Sequence, residues 1–131
     1  MKCTYKLIDG YLSEVDNGRG HSVLMDLPTE AGGTDKAPKA FEYLAMALNG
    51  CIGTIFVDVA RKMRIDVQEL KIELNAEVGD TIDSIDYKFY IKTNATPAKV
   101  EKCLDTTERY CPVGLLFHKA NVPFTHEIVM L

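Results

Sequence analysis

Residues 37–66 read APKAFEYLAMALNGCIGTIFVDVARKMRID, and this stretch decides the fold. Within it, residues 43–57 run for fifteen positions without a charge. Pro38 suits a helix's first turn, where its missing N–H would be unpaired anyway. Leu44, Ala47, Leu48, Cys51, Ile55, Val59 and Met63 recur at helical spacing, while Ala45, Met46, Ile52, Phe56 and Val57 fill the other faces. A helix apolar all round is expected to be buried all round. The charge-free run is shorter than the roughly 20 apolar residues a bilayer crossing takes. The stretch therefore predicts a central core helix over residues 37–66. Cys51 sits in its middle, near Gly50 and Gly53. Glycine inside a helix costs about 1 kcal/mol against alanine, so two beside a cysteine need a reason. Close packing of another backbone is one, and access to the sulfur is another.

Outward from this helix the chain alternates. Residues 1–9 read as a strand that turns at Asp9-Gly10 into a second strand over 11–15. Asp16-Asn17-Gly18 makes another turn before a short strand over 21–25, giving an N-terminal antiparallel meander. Residues 26–36 hold Pro28, Gly32 and Gly33 and read as a loop. After the helix, residues 67–78 place Leu70, Ile72, Leu74 and Ala76 on one face, and 85–93 do the same with Ile85, Tyr87, Phe89 and Ile91. Thr96-Pro97 is a strong helix start, and Val100, Cys103, Leu104 and Thr107 follow in helical register. Cys111-Pro112 interrupts that helix, residues 113–118 form a second helical piece, and 122–131 read as a last strand. Strands, long helix, strands, helix and strand together predict an α+β class in one domain spanning residues 1–131.

Composition narrows the function. A net charge of −4 and a pI near 5.3 argue against nucleic acid or an anionic membrane surface as partner. No N-terminal signal pattern is visible, so a cytoplasmic location is expected, where thiols stay reduced. The four cysteines Cys3, Cys51, Cys103 and Cys111 are then no disulfide framework. They lack CxxC spacing, so no metal is expected, and no phosphate-binding glycine motif points to a nucleotide cofactor.

Cys111 is the most informative of these cysteines by position. If Pro112 opens a helix, Cys111 is its N-cap, and the helix dipole would lower its pKa. The alternative is a structural helix break with a buried thiol. Cys51 is open to the same two readings, since a buried free cysteine commonly behaves as a small hydrophobe. Cys103 and Cys3 read as filler. If the helix runs through, Cys111 and His118 share a face and could pair; otherwise His21, His118 and His126 are surface or interface residues. Arg19 stands alone between Gly18 and Gly20, where a backbone can approach a ligand or where a solvated turn suffices.

Pro38, Glu42, Leu44, Ala47-Leu48 and Gly50-Cys51 on one helix, with Cys111-Pro112-Val113 some sixty residues later, resemble the OsmC/Ohr family. The stretch GRGHSVLMD over residues 18–26 and the Gly32-Gly33 loop are similar to the N-terminal part of its general members. The resemblance implies an intertwined homodimer, with antiparallel sheets wrapped around long central helices and active sites at the subunit boundary. It implies a thiol-dependent peroxidase without cofactor. Cys51 would attack a hydroperoxide, Cys111 would resolve the sulfenic acid as a disulfide, and an external thiol would reduce it. Arg19 is the candidate cation for the thiolate. The position ten residues before Cys51, a glutamate in the organic-hydroperoxide branch, is Phe41 here; Glu42 reads as a helix-start residue. Two rival functions share these residues: a non-peroxidatic thiol sensor or disulfide-exchange protein, and a small-ligand-binding module with structural thiols.

Overall fold

In the computed structural model, which describes every residue of Met1–Leu131, the chain divides into two compact units, Met1–Leu44 and Ala45–Leu131. The first unit is the expected meander. Strands β1 (Thr4–Asp9), β2 (Leu12–Asp16) and β3 (Ser22–Met25) pair antiparallel in that order. Gly10 turns the first corner in the left-handed region, at φ 56°. At the second corner the Asp16 and Asn17 side chains accept from the backbone N–H groups of Gly18 and Arg19, at 2.6 and 2.9 Å. The loop over residues 26–36 is ordered by one carboxylate. Asp26 is buried and accepts from the Thr34 hydroxyl at 2.6 Å and from the backbone of Leu27, Thr34 and Lys36. The Thr34 hydroxyl leads the donors that hold this carboxyl below its usual range. Gly33 is obligatory there, because a Cβ would lie 1.9 Å from the Leu27 carbonyl oxygen.

Helix α1 runs Ala40–Lys62, inside the expected bounds at both ends. Its start is set by Glu42, whose carboxylate accepts from the Lys39 N–H at 2.8 Å, as expected of a helix-start residue. Its end is set by Arg64 in the left-handed conformation, φ 54°, with the Ile65 N–H returned to the Ala60 carbonyl. A non-glycine residue there leaves no mark in the sequence. The full helix, unlike its charge-free run, is long and apolar enough to cross a membrane by length and composition. Here it is a packing element, and burial all round is not what the chain achieves. Leu48, Ile52, Phe56, Val59 and Ala60 form one buried stripe, while Met46 is 56% exposed.

That stripe packs on the second sheet. Strands β4 (Glu69–Val78) and β5 (Ile82–Lys92) form an antiparallel hairpin. Ile85, Tyr87, Phe89 and Ile91 of β5 are buried as the alternation predicts, and the Phe89 ring lies 4.5 Å from that of Phe56. Helix α2 (Pro97–Tyr110) starts at Thr96, whose side chain caps the Lys99 N–H, and buries Val100, Cys103, Leu104 and Thr107. Helix α3 (Pro112–Lys119) follows directly, and β6 (Phe124–Met130) closes the chain. The sheet is not wholly antiparallel as expected. β6 pairs with β5 in parallel, because α2 and α3 carry the chain back to the end at which β5 began. Ile85 thereby lies opposite Phe124 and Tyr87 opposite His126.

Candidate active site

Cys111 is both the C-cap of one helix and the N-cap of the next. Its N–H closes the final turn of α2 on the Thr107 carbonyl at 2.8 Å. Pro112 denies the residue before it a helical conformation, and Cys111 takes φ −70°, ψ 107°. The Cys111 Sγ then turns back to accept from the Gly114 N–H at 3.3 Å. It is 1% exposed. A Cβ on Gly114 would make ordinary contact with that sulfur at 3.4 Å and with Leu48 at 3.8 Å.

From this position the Cys111 Sγ–H donates to the Sγ of Cys51, 2.8 Å away. The two residues are sixty positions apart in sequence. Both are free thiols, Cys51 half-buried on α1 and Cys111 buried at the α2–α3 junction. Burial first, and then the proton held against Cys51, push the Cys111 thiol up to about 11; the Gly114 N–H works the other way. This reverses the sequence expectation of an acidic N-cap thiol. The helix start supplies the Gly114 and Val113 N–H groups, and removal from water outweighs them.

The remaining candidates separate. Cys103 is buried with its sulfur 4.0 Å from the Phe56 carbonyl oxygen, and burial raises it to about 11; it packs, as expected. Cys3 is exposed and precedes β1. The Cys111–His118 pairing does not form, since α2 ends at Tyr110 and the His118 ring stacks on Phe124 at 4.8 Å. Arg19 lies in the exposed β2–β3 turn of the first unit. Gly50 meets no atom within 4 Å of a built Cβ, and Gly53 meets only Ile72 at 3.6 Å. Neither is demanded by packing within the chain. With Thr54, Val57 and Leu70 they line an open groove between α1 and β4.

A polar cluster that sequence reasoning missed lies beside the pair. The buried Tyr87 hydroxyl donates to Glu108, three residues before Cys111. His126 faces Glu108 with Nδ1 at 3.1 Å and Glu101 with Nε2 at 3.0 Å. Burial, followed by the Glu108 carboxylate, drives the Tyr87 phenol far above its usual range. The one available signal was Glu101 and Glu108 seven apart on α2, two turns along one helix face.

A family model described as OsmC-like protein matches residues 33–127. The chain belongs to the OsmC-like family. Protein YhfA of Escherichia coli K12 is 29% identical to this OsmC-like chain over 136 residues, covering 98% of each. Among solved structures, an OsmC-like protein from Mycoplasma pneumoniae superposes with a TM-score of 0.88 at 12% identity, covering 99% of this chain and 96% of its own. The organic hydroperoxide resistance protein OhrB of Bacillus subtilis does so with 0.64 at 15% identity, covering 98% of each. At these identities the two structures are likenesses of fold. They place the α+β architecture described above within the OsmC fold.

Proposed function

We propose that this OsmC-like protein reduces organic hydroperoxides or hydrogen peroxide with Cys51 as the attacking thiolate and Cys111 as the resolving thiol. The observation that carries the reading is the 2.8 Å approach of two free sulfurs from distant segments. The Cys51 thiolate attacks the outer peroxide oxygen; the O–O bond breaks and an alcohol or water leaves after taking a proton. Cys51 becomes a sulfenic acid. The Cys111 sulfur then attacks the Cys51 sulfur, the S–O bond breaks, and the Cys111 proton leaves with the hydroxyl as water. An external thiol restores both cysteines by exchange through a mixed disulfide. Arg19 supplies the cation that favours the charged Cys51 sulfur. The reading needs a reducing compartment, which the cytoplasm provides.

The working unit in this proposal is a homodimer. Its support is the apolar and small surface that one chain leaves open: Met46, Gly50, Gly53, Val57 and Leu70 along α1 and β4, and Tyr5, Leu7, Val23 and Leu24 on the first sheet. A second copy is the occupant with the same apolar surface to cover. A folded monomer at micromolar concentration in light scattering would refute it.

The deciding experiment is peroxide consumption with a dithiol reductant, using hydrogen peroxide and two organic hydroperoxides. Turnover lost in Cys51→Ser, with sulfinic acid accumulating at Cys51 in Cys111→Ser, is the expected result. A protein that forms the disulfide with a disulfide reagent but consumes no peroxide would be an exchange or sensor protein instead. One that keeps a small ligand after both cysteines become serine would be a binding module.

A further inference from the structure

Four polar side chains on three elements meet around Glu108, and the thiol chemistry proposed above uses none of them. Glu101 and Glu108 lie on α2, Tyr87 on β5 and His126 on β6. The Oε1 of Glu108 receives both the Tyr87 hydroxyl and His126 Nδ1, while Glu101 Oε1 faces His126 Nε2. An ionised carboxylate only accepts hydrogen bonds. A ring with a carboxylate oxygen against each nitrogen satisfies both contacts only when both nitrogens carry hydrogen. The geometry therefore specifies the imidazolium form of His126, with one positive charge between two negative ones.

The position of the cluster gives it a consequence. Glu108 is in the last turn of α2, the turn that ends at Cys111. The polar partners of the Cys111 sulfur are the Gly114 and Val113 N–H groups and Cys51, none of them a side-chain charge. Glu108 ties that turn to a fully buried residue of the sheet and, through His126, to the neighbouring strand. The titratable side chains that face the imidazole are Glu101 and Glu108 from α2, and Tyr87 from β5 with its ring 5.6 Å away. Two residues along β6, Phe124 on the same face carries the His118 ring of α3.

We propose that Glu108 and His126 are positioning residues for Cys111: the charged imidazole, clamped by Glu101 and Glu108, locks the end of α2 onto Tyr87 and keeps the Cys111 sulfur against Cys51. Loss of the His126 proton leaves one carboxylate facing a nitrogen lone pair, and the lock loosens. Burial disfavours the charge on His126, but the two carboxylates outweigh it and the net shift is upward. The lock is thus closed below the ordinary histidine range, about pH 6.5, and opens as pH rises through the raised value. The inference rests on the peroxidase reading, because what it sets is the rate at which Cys111 captures the Cys51 sulfenic acid.

The experiment is a one-equivalent hydroperoxide pulse on the reduced protein from pH 5.5 to 9. A sulfenic-acid trap and non-reduced peptide mass spectrometry would follow Cys51–SOH and the Cys51–Cys111 disulfide. At pH 6 the wild type should resolve about tenfold faster than His126→Gln, the scale expected for one lost hydrogen bond between charged groups. That ratio should fall toward one as pH rises, which loss of fold stability alone would not produce. Glu101→Gln removes the half-exposed carboxylate and leaves Glu108 and Tyr87 in place. It should keep the resolution rate at pH 5.5 and move the midpoint of the pH dependence down. A wild-type disulfide that forms with a pH-independent ratio, or an unmoved midpoint in Glu101→Gln, overturns this inference alone. A wild type that never forms the disulfide overturns the peroxidase reading and this inference with it. If His126→Gln fails to fold, the midpoint in Glu101→Gln decides.

Discussion

Oxidising the Cys51–Cys111 pair should stabilise the fold by an amount that the chain's own connectivity sets. The two cysteines close a loop of sixty positions. In the chain-entropy account, such a cross-link removes about 4 kcal/mol of freedom from the unfolded state. The folded state has little to rearrange. The sulfurs stand 2.8 Å apart as thiols, and a bonded pair needs about 2.05 Å. The bond replaces the single Cys111–Cys51 hydrogen bond and leaves the Gly114 N–H as it is. At roughly 2.1 cal/mol/K per residue, 131 residues have an unfolding entropy near 0.28 kcal/mol/K, so ~4 kcal/mol corresponds to about 15 °C in Tm. Engineered cross-links often deliver less than the ideal figure, so about 15 °C is the upper bound. The assay is thermal unfolding at one fixed protein concentration, oxidised against reduced, with Cys51→Ser treated identically. A mapped Cys51–Cys111 bond with a shift under about 2 °C would refute the reasoning. It would mean either that the unfolded chain already holds these segments together or that the bond strains the α2–α3 junction.

Four further outcomes can be measured, the first of them a test of the proposed mechanism and the others of the geometry. Arg19→Ala should slow alkylation of Cys51 near neutral pH, and an unchanged rate across pH 6–9 would remove Arg19 from the site. Cys111, pushed up to about 11, is ionised in about one molecule in three thousand at pH 7.5; peptide mapping should find it alkylated some hundreds of times more slowly than a free cysteine. His126 has a raised folded value, so its contribution to stability is whole below about pH 6.5 and lost as pH rises through that value; the gap in urea midpoint between wild type and His126→Gln should shrink from pH 6 to pH 9. Phe56→Ala removes a fully buried ring packed on Phe89 and should cost about 3–5 kcal/mol in urea unfolding.

The two cysteines are told apart by their surroundings rather than by their chemistry. Cys51 is half-buried on α1 and keeps part of its surface in contact with solvent. Cys111 is sealed, keeps its proton and points it at Cys51. A thiol that holds its proton is a poor first attacker of peroxide, but it stands ready beside a sulfur that has just been oxidised. The difference in burial and proton affinity supports the order proposed above, Cys51 first and Cys111 second.

What the sequence carried well was whatever repeats along one element. Alternation found Ile85, Tyr87, Phe89 and Ile91 as the inner face of β5, and helical spacing found Val100, Cys103, Leu104 and Thr107. Thr96-Pro97 and Cys111-Pro112 marked two helix starts, because proline's missing N–H and fixed φ act locally. What it carried poorly depends on where elements meet. Burial of α1 on one stripe instead of all faces reflects how many layers a single chain can supply, and periodicity does not count layers. The sign of the Cys111 shift turned on burial beneath α1, which the Cys-Pro pair does not reveal. Tyr87 and His126 read separately as an inward strand residue and a scattered histidine. Only the parallel pairing of β6 with β5 sets them opposite each other, and only α2 lying above them brings Glu108 between. Parallel register is specified by the length and docking of a crossover, not by any pattern within the strands. The part of the site hardest to see in the sequence is therefore the part on which the pH dependence of resolution depends.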